Sequence, residues 1–118
     1  MGRLTTHVLD TVKGRPAGGV GIELQRLRTD GIWAMVKTLT TNADGRTDEP
    51  LLIGADFVPG TYMLSFAIGD YFRRTGAPVA DPPFLDVVPV RFHLAEGQGH
   101  YHVPLLASPW SYSTYRGS

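Results

Sequence analysis

The sequence predicts an all-β antiparallel sandwich of about eight short strands with one short helix, and three observations carry that prediction. Apolar residues recur at period two in short runs, glycine, proline, asparagine and aspartate separate the runs, and a single segment carries helix signals. Val20, Ile22 and Leu24 alternate with Gly21, Glu23 and Gln25. Tyr62, Leu64, Phe66 and Ile68 alternate with Thr61, Met63, Ser65 and Ala67. Tyr101, Val103 and Leu105 alternate with His100, His102 and Pro104. Such runs belong to antiparallel sheets with one face packed and the other differently solvated.

In chain order, strands are expected near 3–10, 19–27, 31–40, 45–48, 60–68, 85–93, 99–107 and 110–117. The breaks carry turn chemistry at Gly14-Arg15-Pro16, Asn42-Ala43-Asp44-Gly45, Pro59-Gly60 and Gly97-Gln98-Gly99. From Asp70 to Gly76 an acidic start, a basic end and a closing glycine predict the short helix. Residues 76–84, with Pro78, Pro82 and Pro83, read as a loop. No repeat or low-complexity tract divides the 118 residues, so positions 1–118 are expected to form a single domain.

Composition narrows the partners. Eleven basic and eleven acidic residues cancel to a net charge of +0, which leaves no field to steer the chain to nucleic acid or a membrane surface. A neutral or weakly anionic small molecule, or other subunits, remain as partners. Without cysteine there is no disulfide, no thiolate nucleophile and no cysteine-bound zinc. No stretch approaches the ~18 apolar residues of a membrane span, and Met1 to His7 shows no apolar run before a cleavage site. The cytoplasm is the expected compartment.

Alternation also assigns faces. In the run 99–107, Tyr101, Val103 and Leu105 are the core side, so His100 and His102 project together from the other, beside Pro104 and Leu106. In the first strand Leu4, Thr6 and Val8 share one side, and Thr5, His7 and Leu9 share the other. In the last, Tyr115 and Gly117 fall with Ser113. The mixed character of this outer face, leucine and proline among histidines, suggests cover by another subunit. Pro104 has no N–H for a ladder, so an edge or bulge is expected there.

Three of the four histidines, His7, His100 and His102, thus sit on outward faces, whereas His93 near a strand end reads as a surface residue. Imidazole titrates near neutrality and can take a proton from water at working pH, and the His-x-His spacing suits convergence on one ligand or one metal. Arg46, after the Asp44-Gly45 turn, is either a solvated turn residue or a planar cation for an imide-like or oxyanionic group. The ending from Tyr112 to Ser118 offers hydroxyls, a guanidinium and a carboxylate on β-favouring residues, as of an end tied into a sheet. Phosphate-loop and serine-hydrolase motifs are absent.

Three blocks of these residues resemble the transthyretin-like family in its 5-hydroxyisourate hydrolase branch. They are Thr5-Thr6-His7-Val8-Leu9-Asp10-Thr11 with Gly14-Arg15-Pro16-Ala17, then Asn42-Ala43-Asp44-Gly45-Arg46, then His100 to Leu106 with Ser108-Pro109 and Tyr112 to Ser118. Gly69-Asp70-Tyr71-Phe72 falls where that family has its short helix. Ala107 and Trp110 depart from the family pattern, away from the chemistry. The resemblance implies a transthyretin-like sandwich that hydrolyses 5-hydroxyisourate without a cofactor. It implies catalytic roles for His7, Arg46, His102 and Ser118, and substrate binding by His7, Arg46, His100, Tyr115, Arg116 and Gly117. It further implies a homotetramer with sites between dimers. Two other classes stand beside it. One is the non-catalytic carrier branch of the same fold, whose matching positions lack this histidine and arginine set. The other is a zinc protein using His7, His100 and His102.

Overall fold

The structure, a computed structural model, describes residues 2–95 and 99–117. Two β layers enclose one core, as the alternation requires. The first layer is a four-stranded antiparallel sheet in the order β5-β4-β7-β8, built from β4 (Gly21–Leu27), β5 (Trp33–Thr40), β7 (Gly60–Ala67) and β8 (Val87–Leu94). Its inner face carries Ile22, Leu24, Leu64, Phe66 and Val88, each almost wholly buried.

The second layer holds the chain's two ends. Its strands are β1 (Arg3–Thr5), β2 (Val8–Asp10), β3 (Arg15–Pro16), β6 (Leu52–Ile53), β9 (His100–His102), β10 (Leu105–Ala107) and β11 (Tyr112–Thr114). They run in the orders β6-β1-β9 and β11-β10-β2-β3. The expected single strands 3–10 and 99–107 are therefore each broken in two, at residues 6–7 and 103–104. Backbone bonds bridge the gap: Val103 donates to the Thr5 carbonyl and Leu105 to that of His7, both at 2.9 Å. Odd-numbered amides of this stretch thus face the first strand and even-numbered ones face the tail. Pro104 leaves a hole on the tail side, between the β10–β11 pairing and the isolated bridge from His102 to Gly117.

Pairing within this layer is not antiparallel throughout. β1 runs parallel to β9, with Thr5 opposite His102, and β2 runs parallel to β10, with Val8 opposite Leu105. The faces are as alternation predicts: Leu4, Thr6 and Val8 are buried, while Thr5, His7 and Leu9 are partly exposed.

Several boundaries differ from the expectation. Residues 45–48 form no strand, because the turn satisfies its own backbone, and the second layer gains Leu52–Ile53 instead. The tail's strand is confined to Tyr112–Thr114. Arg15–Pro16, expected in a turn, makes a two-residue strand. The helix α1 (Ile68–Arg74) starts two residues earlier than its charges suggest, since Ile68 and Gly69 are buried against the sheet, and it ends before Gly76 at φ 80°. Gly97 and Gln98 of the expected Gly97-Gln98-Gly99 turn lie outside the described residues. Among the described residues no helix is long and apolar enough to cross a membrane.

The helix is locked to the second layer through a buried carboxylate. Asp10, 1% exposed, accepts the amides of Val12 and Lys13 at 3.0 Å and the Tyr71 hydroxyl at 2.8 Å. Burial, and then the bond to Asp10, push the Tyr71 phenol up to about 12. Tyr71→Phe would strip one donor from a buried charge, and we expect a loss of about 1.5–3 kcal/mol in urea unfolding. A change within about 0.5 kcal/mol, the range of neutral surface substitutions, would refute this anchoring role.

Candidate active site

Pairing between β1 and β9 brings chemistry from the two chain ends onto one face. The Thr5 hydroxyl lies 2.8 Å from Nε2 of His100 and 2.8 Å from Nδ1 of His102. The two imidazoles sit 6.2 Å apart between centroids, inclined by 57°. With Arg3, Thr5, Arg46 and Asp48 they line an open depression of about 400 Å³. His7 stands at the break between β1 and β2, two residues along the same face, and electrostatically senses both Arg46 and Asp44.

Arg46 is delivered by a built turn. The Asn42 side-chain oxygen accepts the amides of Asp44 and Arg46, and the Asn42 amide donates to the Arg46 carbonyl at 2.7 Å. Gly45 has φ 73° and is pressed so close to the Val8 carbonyl that a Cβ would collide with it. Its own carbonyl accepts the Val8 amide at 2.7 Å, which docks the turn onto the broken strand. Among the described residues no carboxylate pairs with the Arg46 guanidinium.

The electrostatics favour neutral imidazoles. Burial lowers the pKa of His102 from its usual 6.5, and the charges at Arg46, His100 and His7 lower it further. For His7, burial and then Arg46 lower the pKa, while the backbone and carboxylate of Asp44 oppose the shift. An arginine amid neutral imidazoles is a site that can hold developing negative charge and accept a proton.

Among the described residues the tail reaches this site at one point. The Gly117 amide donates to the His102 carbonyl at 2.7 Å, and a Cβ on Gly117 would stand 2.8 Å from Cδ2 of the His102 ring. Glycine thus lets the tail lie flat on the imidazole. The Arg116 guanidinium instead stacks 4.0 Å above the ring of Tyr101, on the side of β9 away from the histidines. Tyr115 is exposed and, with Tyr101 and Arg116, borders a second hollow on that side. Ser118 lies outside the described residues.

Of the residues singled out from the sequence, His100, His102 and Arg46 line one depression, and His7 and Gly117 adjoin it. Tyr115 and Arg116 do not meet the imidazoles within one chain. Thr5 was missed as a functional residue, although alternation put it on the outward face; the signal was its position two residues before His7. Among the described residues no three metal-binding side chains are gathered to hold an ion, so the geometry gives the zinc reading no support.

The family model described as the HIUase/Transthyretin family matches residues 4–117. The chain belongs to this family. It is 58% identical over 117 residues to 5-hydroxyisourate hydrolase 2 of Rhizobium meliloti, covering 99% of this chain and 97% of that one. Among solved structures, (S)-allantoin synthase superposes with a TM-score of 0.94 at 47% identity, over 99% of this chain but only 44% of that longer one. Transthyretin from Sparus aurata superposes with a TM-score of 0.87 at 35% identity, over 98% of this chain and 96% of that one.

The charge on Arg46 should be readable at its neighbours. In Arg46→Ala we expect the pKa values of His102 and His7 to rise toward 6.5, followed by NMR titration of their ring protons. Unmoved titrations would show that Arg46 does not act on these rings.

Proposed function

We propose that this chain is an enzyme that hydrolyses 5-hydroxyisourate to 2-oxo-4-hydroxy-4-carboxy-5-ureidoimidazoline, a step of urate degradation. The observation that carries the reading is the meeting, in one depression, of a neutral-biased His102 with an Arg46 that pairs with no carboxylate among the described residues. The full-length similarity to the Rhizobium meliloti hydrolase supports it. Similarity to transthyretin does not decide between catalysis and carriage, because function rests on the site and not on the fold.

In this reading His102, assisted by His7, takes a proton from water as the oxygen attacks a ring amide carbonyl. Arg46 holds the substrate and stabilises the oxyanion that forms as the carbonyl becomes tetrahedral. No cofactor takes part. His100 supports His102, and Gly117 sets the plane of its ring. The hydroxyl and carboxylate of Ser118 orient the substrate, together with Tyr115, while Arg116 acts by pinning the tail on Tyr101. The depression is open on its outer side, and Trp110, Tyr112 and Tyr115 leave aromatic surface exposed along the tail. Both features fit a homotetramer with the sites closed between dimers, and in this reading the enzyme works in the cytoplasm.

The test is direct: generate 5-hydroxyisourate with urate oxidase and follow its decay. We expect the protein to accelerate it, and decay at the spontaneous rate would overturn the assignment. His102→Asn and Arg46→Ala should each lose roughly 10²-fold or more in kcat while remaining folded. Because both imidazole pKa values lie below 6.5, kcat/KM should be flat above that pH and fall only as pH drops through the lowered values. An acid limb centred above 6.5 would exclude these two rings as the base. Gly117→Ala should also lower kcat, by displacing the ring it lies against.

A further inference from the structure

The hydroxyl between the two imidazoles has one proton and two lone pairs, and it makes two contacts with ring nitrogens. Each contact needs a hydrogen, so at least one imidazole must supply its own. Two chains of donors use the hydroxyl fully. Either His102 Nδ1–H donates to Thr5 and Thr5 donates to His100 Nε2, or the order is reversed.

We propose that Thr5 is a positioning residue that holds His102 with its proton on Nδ1 and its lone pair on Nε2, through the chain His102 to Thr5 to His100. Three observations give the direction. Nδ1 is occupied by Thr5 and the Cδ2 edge lies against Gly117, so Nε2 is at the open end of the ring. Among the described residues nothing hydrogen-bonds that nitrogen. The Arg46 guanidinium lines the same depression as this ring, and a guanidinium has only donors. In that positive field a lone pair is stabilised and an N–H is not. The reversed chain would place an N–H at Nε2 and leave His102 unable to take a proton there.

The same contacts give the proton an exit. When Nε2 accepts a proton from water, the Nδ1 proton can pass to Thr5 Oγ1 as the Thr5 proton passes to Nε2 of His100. The positive charge then leaves His102 and rests on His100, with one proton gained by the set and none lost. His100 is thereby given a role as the far end of the chain. Only this kinetic part rests on the hydrolysis proposed above; the tautomer does not.

The closing experiment reads the tautomer first, from the 15N shifts of the His102 ring in the wild type, Thr5→Val and Thr5→Ser. We expect Nδ1–H in the wild type and in Thr5→Ser, and a shift to the Nε2–H form, preferred by free histidine, in Thr5→Val. Activity should follow: Thr5→Val loses about 10–100-fold in kcat with KM little changed, the size expected for a group that orients a catalytic ligand. Thr5→Ser should recover most of that loss, and equal thermal unfolding of Thr5→Val and Thr5→Ser would separate the effect from folding. A wild-type ring carrying Nε2–H, or a Thr5→Val ring and kcat unchanged from the wild type, overturns the proposal. Nδ1–H in the wild type without turnover of 5-hydroxyisourate supports the role of Thr5 and overturns the reaction instead.

Discussion

The site depends on the parallel backbone ladder between β1 and β9. It sets Arg3 opposite His100, Leu4 opposite Tyr101 and Thr5 opposite His102. A slip of one residue would exchange faces, putting Tyr101 where the imidazoles stand and turning both histidines into the core. What forbids the slip is burial: Leu4, Val8 and Leu105 are fully enclosed, and the Thr6 hydroxyl donates to the Val103 carbonyl at 2.7 Å from a buried position. Core packing therefore fixes the distance between Thr5 and two histidines some 95 residues away in the chain. Rigid sheet positions are better suited than loops to holding such groups in place.

The interruption of this ladder is as important as the ladder. Where β1 gives way to β2, the Val8 amide turns to the Gly45 carbonyl, and that single bond seats the turn carrying Arg46. On the partner strand Pro104 withholds an amide from the tail, and the chain end returns to pair at His102 through Gly117. Gly45 and Gly117 serve the two contacts alike, since each lies where a Cβ would strike its neighbour.

Much of this was legible in the sequence, and the reason is geometric. Period two assigns faces, so the buried set of Leu4, Thr6 and Val8 and the outward set of Thr5, His7, His100 and His102 followed from alternation. Asn42-Ala43-Asp44-Gly45 specified its turn because the side-chain and φ requirements are local. Strand partners are not local. Nothing in the alternation of residues 3–10 says that they pair in parallel with 99–107, so the bridging of two histidines by Thr5 stayed hidden. Leu52–Ile53 was hidden too, since a two-residue strand is made by its neighbour and not by its own pattern. Arg116 was hidden for a related reason: within one chain its guanidinium stacks on the ring of Tyr101, a neighbour that strand pairing and not alternation brings to it.

Electrostatics gives the arrangement its chemical sense. The chain as a whole is neutral, so no long-range field is available to hold an anionic transition state. The charge must be local, and Arg46 supplies it. Placed beside His7 and His102, the guanidinium acts in two ways. It disfavours imidazolium at both rings, and in the proposed reaction it would favour the oxyanion that forms as the carbonyl becomes tetrahedral. These effects conflict only after transfer, when His102 carries a charge next to Arg46. A negative tetrahedral intermediate lying between them would offset that repulsion, and a path for the charge toward His100 would relieve what remains. In the proposed reaction the cation and its imidazoles would therefore match the transition state better than the resting site, which is the condition for catalysis and not merely for binding.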